Sequence, residues 1–382
     1  MRVALIADWL PTFGGAEHVV SALRGIWPDA PIFTTVAKHG NVGPLNDADI
    51  RTGRLQWLYR LAGRHQYLLP LMPRYIEDID LRGYDLIVSS SHAVGKGIIP
   101  PSNAVHVCYC HTPMRYAWEM EEEYLKDFRI RGPLKTLVRR QLKHLRRWDL
   151  STAKRVDGFI ANSSETQERI ARIYGRESVV ITPPVEDRFF EDVHPLPATR
   201  YPPDTTSVPS YYLAIGRLVP YKRFDLLIEL ANSLKLPLWI AGTGTERQRL
   251  ERMAGSTVRF LGFVPDADLP SLYAGAKAVL FPQIEDAGIV PLEAMASGTP
   301  VIALDRGGAL DVVVAGVSGL LVPDQNVDAF SKAITRADGI AWNRDGIRNH
   351  ARRFSETEFK SRMIEAVLNV CKNVRSQLTT KA

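Results

Sequence analysis

Apolar residues fall along this chain in short runs set between longer stretches of helical periodicity. In the first half, "VALIAD", "APIFTTV", "YDLIVSS", "AVHVCYC", "VDGFIAN" and "SVVIT" read as buried strands. A segment rich in Pro, Ser and Thr follows, "HPLPATRYPPDTTSVPS", which has no periodicity and reads as a linker over residues 194–210. The pattern then restarts with "YYLAIG", "PLWIAG", "TVRFLGF", "AKAVLFP", "TPVIAL" and "SGLLVP". The first helix of this second half carries Phe224, Leu227, Ile228, Ala231 and Leu234 as one apolar stripe. "SETE" from Ser355 to Glu358 is a capping box that opens a terminal helix. Strands alternating with helices imply parallel sheets, so the expected class is α/β, with two doubly wound domains facing across a cleft. The expected boundaries are a first domain over 1–193, the linker, a second domain over 211–354 and a terminal helix over 355–382.

One stretch breaks the simple alternation. "PQIEDAGIVPLEAMASG" places Glu285 and Glu293 eight positions apart, with Gly288 and Pro291 between them. In a continuous helix these carboxylates would point roughly 80° apart, at about 3.6 residues per turn. Proline clashes inside a helix but suits its first turn. The expectation is a strand from Ala278 to Pro282, a turn holding Glu285, and a helix opening near Pro291 with Glu293 in its first turn and Gly298 at its end. Both carboxylates then sit at the carboxyl end of a strand, where open α/β sheets bind ligands.

Composition changes this picture little: 382 residues suffice for two domains with proper cores, and the residue usage is ordinary for a globular protein. No apolar run approaches the roughly 18–20 residues needed to span a bilayer. The opening "MRVALIADWL" reads as a strand rather than a signal peptide. Cys108, Cys110 and Cys371 suit a reduced, cytoplasmic protein, and "CYCH" lacks the partners of a closed metal site, so no metal is expected.

Charge is more informative. The net charge is +6, and residues 126–155 hold eleven Lys/Arg against two Asp/Glu. Leu134, Leu137, Val138, Leu142 and Leu145 recur there at helical spacing. Two readings stand: a basic amphipathic helix on the inner face of an anionic membrane, or a core-packing helix with a solvated basic face. No nucleic-acid motif accompanies the charge, so a nucleic-acid partner is not expected.

Chemistry gathers at strand ends. "GRLVPYKRFD" follows "YYLAI": Gly216 allows a tight turn, and Arg217 and Lys222 can meet phosphate oxygens, one as a planar fork and the other as a point charge. The helix near Pro291 offers unpaired N–H groups and about half a positive charge to an anion. Glu285 and Glu293 are acceptors suited to sugar hydroxyls, and Gly288 lets backbone approach a ligand. In the first half, Gly14 and Gly15 end the loop after the first strand without forming a GxGxxG fingerprint, which counts against a dehydrogenase. His111 stands at the end of "AVHVCYC", and Ser163 reads as a helix cap.

Taken together, GGAE near the start, "GRLVPYKRFDLLIEL", "EDAGIVPLE", "EAMASGTPVIA" and the terminal helix resemble glycosyltransferase family 4, the retaining nucleotide-sugar transferases of GT-B fold. "HTPMRYAW", "VVITPPVEDRF" and "EDAGIVPLEA" narrow the likeness to bacterial GDP-mannose-dependent mannosyltransferases of polysaccharide assembly, although Ala287 stands where that group usually has phenylalanine. The resemblance implies two Rossmann-like domains, with the terminal helix returning towards the first. It implies Arg217 and Lys222 on the donor diphosphate, Glu293 on the ribose, and Glu285 with Gly288 and Ile289 on the hexose. Gly14 and Gly15 would lie against the donor, Gly216 would shape its loop, and His111 would position the sugar at the anomeric carbon. The implied partners are GDP-mannose and a saccharide or lipid-linked acceptor, with no cofactor. A UDP-hexose donor and a non-catalytic, membrane-associated nucleotide-sugar-binding subunit are the alternatives.

Overall fold

Strands whose two faces are both apolar need cover on both sides, and alternate residues here enter opposite cores. Leu213, Trp239 and Val279 pack into one core, while their neighbours Tyr212, Leu238 and Leu280 pack into another. The computed structural model describes every residue except 120, 122–124, 126–131, 192–195, 197–210 and 382. The expected linker at 194–210 therefore lies outside the described residues, apart from Leu196, as does the start of the basic segment.

The chain divides into two units, one of residues 1–182 with 359–382 and one of residues 183–358. The first contains β1 (Val3–Ala7), β2 (Ile32–Thr34), β3 (Ile50–Thr52), β4 (Leu86–Ser91), β5 (Val105–Cys110), β6 (Gly158–Ala161) and β7 (Ser178–Val180). They form one parallel sheet in the order β3-β2-β1-β4-β5-β6-β7. The second contains β8 (Tyr211–Ile215), β9 (Leu238–Ala241), β10 (Val258–Gly262), β11 (Ala276–Phe281), β12 (Val301–Leu304) and β13 (Gly319–Val322). Its parallel order is β10-β9-β8-β11-β12-β13. Each sheet reverses its direction of growth once, between β1 and β4 and between β8 and β11. Ligands of open α/β sheets bind at such reversals.

All twelve strands read from the sequence are present. β3 is the addition, a short edge strand with no apolar run to announce it. Phe224, Leu227, Ile228 and Ala231 of the expected stripe are buried in the helix Phe224–Leu234; Leu234, at the helix end, is exposed. Ser355 caps the helix Glu356–Lys381 by accepting from the Glu358 amide at 3.3 Å. From Phe359 onward that helix belongs to the first unit, where Phe359, Met363 and Val367 complete the core under β1, β4 and β5.

The basic helix Pro133–Ala153 buries Leu142 and Leu145, with Val138 half-buried beside them, but Leu137 is exposed. Arg139 and Arg146 turn back to Glu121 at 3.1 and 2.5 Å. Asp149 is fully buried, paired with Lys96 and accepting from Trp118 and Tyr174. Packing thus accounts for one side of the helix, while Arg140, Lys143 and Arg147 remain on the exposed side. Among the described residues, no helix is long and apolar enough to cross a membrane.

Two outcomes follow for the first unit. Met363 is fully buried, so Met363→Ala should remove about 2–5 kcal/mol of stability. Segment-resolved hydrogen exchange should quicken in β1, β4 and β5 and stay unchanged in β8–β13. His106 is also fully buried, between the Ser89 hydroxyl and the Arg155 carbonyl, and burial pushes its pKa down to about 4. The unfolded chain therefore takes up this proton first as pH falls from about 6.5, and folding opposes the uptake. Urea unfolding should show stability falling between pH 6.5 and 4 by up to about 1.4 kcal/mol per pH unit from this group, and His106→Gln should flatten that slope.

Candidate active site

In the second unit, β8 ends at Gly216, whose φ of 147° few L-residues tolerate. A Cβ there would stand 2.6 Å from the Lys222 ammonium, so the glycine leaves the space that the lysine fills. Gly242 and Gly244 bring the next loop against this turn, since a Cβ on Gly242 would lie 2.0 Å from the Gly216 carbonyl oxygen. Lys222 ends the 3-10 turn Pro220–Lys222, and its Nζ meets Glu285 Oε1 at 2.7 Å. Their side chains are 11% and 21% exposed. The ion pair thus joins the loop after β8 to the loop after β11. Arg217 lies on the first of these loops, its side chain exposed and without a hydrogen bond or ion pair among the described residues.

Arg223 extends the link. It adopts φ 54° and donates to Gln325 Oε1 at 2.9 Å, and Gln325 in turn donates to the Pro282 carbonyl at 2.7 Å. The loops after β8, β11 and β13 are therefore tied together at one end of the sheet.

The 285–293 stretch is a turn followed by a helix, as expected, with one correction. The helix spans Ile289–Ala296, so Glu293 sits in its second turn and Pro291 is its third residue. Gly288 caps it without a side-chain hydrogen bond, and a Cβ there would stand 2.9 Å from Val312 Cγ2 and 3.1 Å from the Gly308 carbonyl oxygen. Glu293 therefore is not an N-terminal dipole partner. It accepts from the Tyr273 hydroxyl at 2.6 Å. Burial, and then the Glu293 charge, push the Tyr273 phenol well up, which keeps it a donor. The helix ends as read: Gly298, at φ 78°, and Thr299 donate back to Met295 and Ala294.

In the first unit, Gly14 caps the helix Gly15–Ile26 in extended backbone, and Glu17 follows in its first turn. His111 is the residue after β5. Its Nε2 lies 2.7 Å from the Ser90 hydroxyl, and its ring stands edge-on to Tyr109 and His92. Burial, and then His92, push its pKa down to about 3, so the imidazole is neutral at pH 7. Cys108 and Cys110 point into an apolar core with Phe159 and Ile170.

The sequence reading missed the pair beside His111. Asp8, at the end of β1, meets His92 Nδ1 at 2.9 Å and accepts from the Ser91 hydroxyl and the amides of His92, Ala93 and Gly95. Burial alone would raise its pKa, yet His92 and these amides hold the carboxyl far below the usual range. Glu17 is raised, by burial and by the charge of Asp8. An aspartate closing an apolar strand and a histidine after "SSS" were the available signals. Tyr273, inside an apolar helix, offered none. A cavity of about 780 Å³ opens in the same unit, lined in part by Thr12, Lys38, Asn41, Tyr59 and residues 63–67.

Two family models match the chain: Glycosyltransferase Family 4 over residues 13–189 and Glycosyl transferases group 1 over residues 204–352. Among curated proteins, D-inositol 3-phosphate glycosyltransferase of Kribbella flavida is 32% identical over 202 residues, 47% of each chain. The GDP-mannose-dependent alpha-(1-6)-phosphatidylinositol monomannoside mannosyltransferase of Mycolicibacterium smegmatis is 34% identical over 140 residues, 32% of this chain and 37% of that one. In both, the match spans less than half of the relative's length. Among solved structures, Anabaena HepE in complex with UDP-glucose aligns with a TM-score of 0.69 at 19% identity, covering 97% of this chain and 100% of that one. That likeness is one of fold, and the fold is GT-B. Each half of the chain is thus matched by its own glycosyltransferase model.

Proposed function

We propose that the protein is a retaining glycosyltransferase that moves a hexose from a nucleotide diphosphate sugar to a saccharide or lipid-linked acceptor, with GDP-mannose as the donor. The reading rests on one observation: the Lys222–Glu285 pair, with Arg217 beside it, stands at the strand-order reversal of the domain matched by the group 1 model.

Breaking the glycosidic C–O bond builds negative charge on the nucleotide diphosphate and positive charge on the sugar ring. Arg217 and Lys222 would take up the first. An ammonium has three N–H donors, so Lys222 can keep Glu285 and still donate to phosphate oxygens. Glu285 would hold hexose hydroxyls, with the backbone of Gly288 and Ile289 alongside, and Glu293, fixed by Tyr273, would hold the ribose. Gly14 and Gly15 would lie against the donor. His111, being neutral, would hydrogen-bond the sugar near its anomeric carbon rather than add charge. Same-face attack, with a donor phosphate oxygen taking the acceptor proton, needs no carboxylate nucleophile, unlike retaining glycosidases. With two cations and a helix N-terminus present, the chemistry calls for no metal.

The mannosyltransferase among the relatives supports GDP-mannose. A UDP-hexose donor is the second reading, favoured by the HepE complex with UDP-glucose and by Ala287 in place of the phenylalanine usual in the mannosyltransferase group. A non-catalytic nucleotide-sugar-binding subunit is the third.

Arg217→Ala should lower kcat on the order of 10²–10³-fold, by analogy with a lost oxyanion-hole donor. Circular dichroism should show unchanged folding, because the side chain is exposed. Near-normal turnover in this variant would sink the proposal. Thermal-shift titration decides the donor, since a ligand of the folded state stabilises it by mass action. GDP-mannose should raise the Tm at concentrations where UDP-glucose does not. The reverse order would establish the second reading, and binding without transfer or slow hydrolysis the third.

A further inference from the structure

The first unit carries a surface feature that the transfer reaction does not use. The helix Leu55–Ala62 sends Leu55 and Tyr59 into the core, with Leu58 packed beside them, which satisfies its inward side. Its outward side nevertheless carries Trp57 and Leu61 one turn apart, 57% and 75% exposed. Gly63, at φ 67°, ends the helix, and the turns that follow repeat the arrangement. Leu68, Leu69 and Met72 are buried, whereas Tyr67 and Leu71 are 58% and 45% exposed. Exposed apolar groups of this size, so close together in the chain, mark an interaction surface more often than chance.

The charges of the same stretch identify what would cover it. Arg54, Arg60, Arg64 and Arg74 are all exposed, and no Asp or Glu occurs from Arg54 to Ile76. Among the described residues, none of these four forms an ion pair. A second copy of the chain would set like charges against one another, which costs association. An anionic bilayer meets both demands: its headgroups pair with guanidinium, and its boundary layer accepts Trp and Tyr, whose rings are apolar and whose tips are polar. No described helix can span a membrane, so the contact is interfacial.

We propose that Trp57, Leu61, Tyr67 and Leu71, together with Arg54, Arg60, Arg64 and Arg74, form the surface by which this protein docks on an anionic lipid bilayer. The docking is separate from the transfer reaction and stands or falls without it.

The test is co-sedimentation of the full chain with vesicles of equimolar phosphatidylcholine and phosphatidylglycerol, and with pure phosphatidylcholine. The protein should bind the first far better than the second, and less as salt rises. Trp57→Ala with Leu61→Ala should weaken binding by tenfold or more, on the order expected for each large apolar group withdrawn. Arg60→Ala and Arg64→Ala should each cost roughly fivefold. All four side chains are exposed, so the variants should melt as the wild type does. Arg140→Glu with Arg147→Glu, on the exposed side of Pro133–Ala153, should retain most of the binding. The proposal is overturned if the wild type ignores anionic vesicles, or if the Trp57/Leu61 variant sediments normally. It is equally overturned if the Arg140/Arg147 variant alone abolishes binding, or if sedimentation equilibrium reveals a dimer that Trp57→Ala dissociates.

Discussion

Each sheet of this protein is closed at its reversal point by a carboxylate and a nitrogen base that reach across from neighbouring strands. In the second unit the pair is Lys222 and Glu285, linking β8 to β11; in the first it is His92 and Asp8, linking β4 to β1. Loops leave the two sides of a reversal in opposite directions, so side chains rather than backbone must fill the gap. The two pairs differ in how completely they are satisfied. The Asp8 side chain is 1% exposed and is saturated by the end of β4 and the loop after it, which suits a strut. Lys222 and Glu285 are partly open to solvent and hold donors and acceptors in reserve. A pair of this burial lies between the roughly 0–1 kcal/mol of surface ion pairs and the roughly 3–5 kcal/mol lost on breaking a buried one. It is strong enough to order two loops and weak enough to be rearranged by a ligand.

The other glycines and polar side chains of the second unit serve the same junction. Gly216, Gly242 and Gly244 thin the backbone so that two loops can lie against one another around the Lys222 ammonium. Arg223, held in a left-handed conformation, carries the tie onward to Gln325 and the loop after β13. Tyr273 holds Glu293 on the neighbouring helix. Rigid support of this kind is what lets charged groups act on a developing charge without first reorganising.

Much of the fold was legible because parallel strands with two covered faces must be apolar throughout, and such runs stand out between helices. β3 did not stand out: Ile50–Thr52 alternates as an edge strand over too few residues to give a signal. Helix ends were less legible. Pro291 suggested a start at its own position, yet the first turn of a helix accommodates proline at its third residue as well, and the helix opens at Ile289. In the site, Arg217, Lys222 and Glu285 were found because charges at the ends of apolar runs are conspicuous. Asp8, His92 and Tyr273 matter through partners distant in sequence, Tyr273 to Glu293 and Asp8 to His92, and no local pattern encodes such a contact. The contacts of the basic helix were likewise beyond local pattern, with Glu121 claiming Arg139 and Arg146.

The last helix has a bearing on how the chain acquires its structure. Residues 183–358 form one uninterrupted unit, whereas the unit that begins at Met1 lacks part of its core until Phe359, Met363 and Val367 have been made. Emerging from the ribosome, the half translated second can reach its native state while the half translated first still waits with apolar surface uncovered. Maturation would then run opposite to synthesis, and the leading half would depend longest on chaperones.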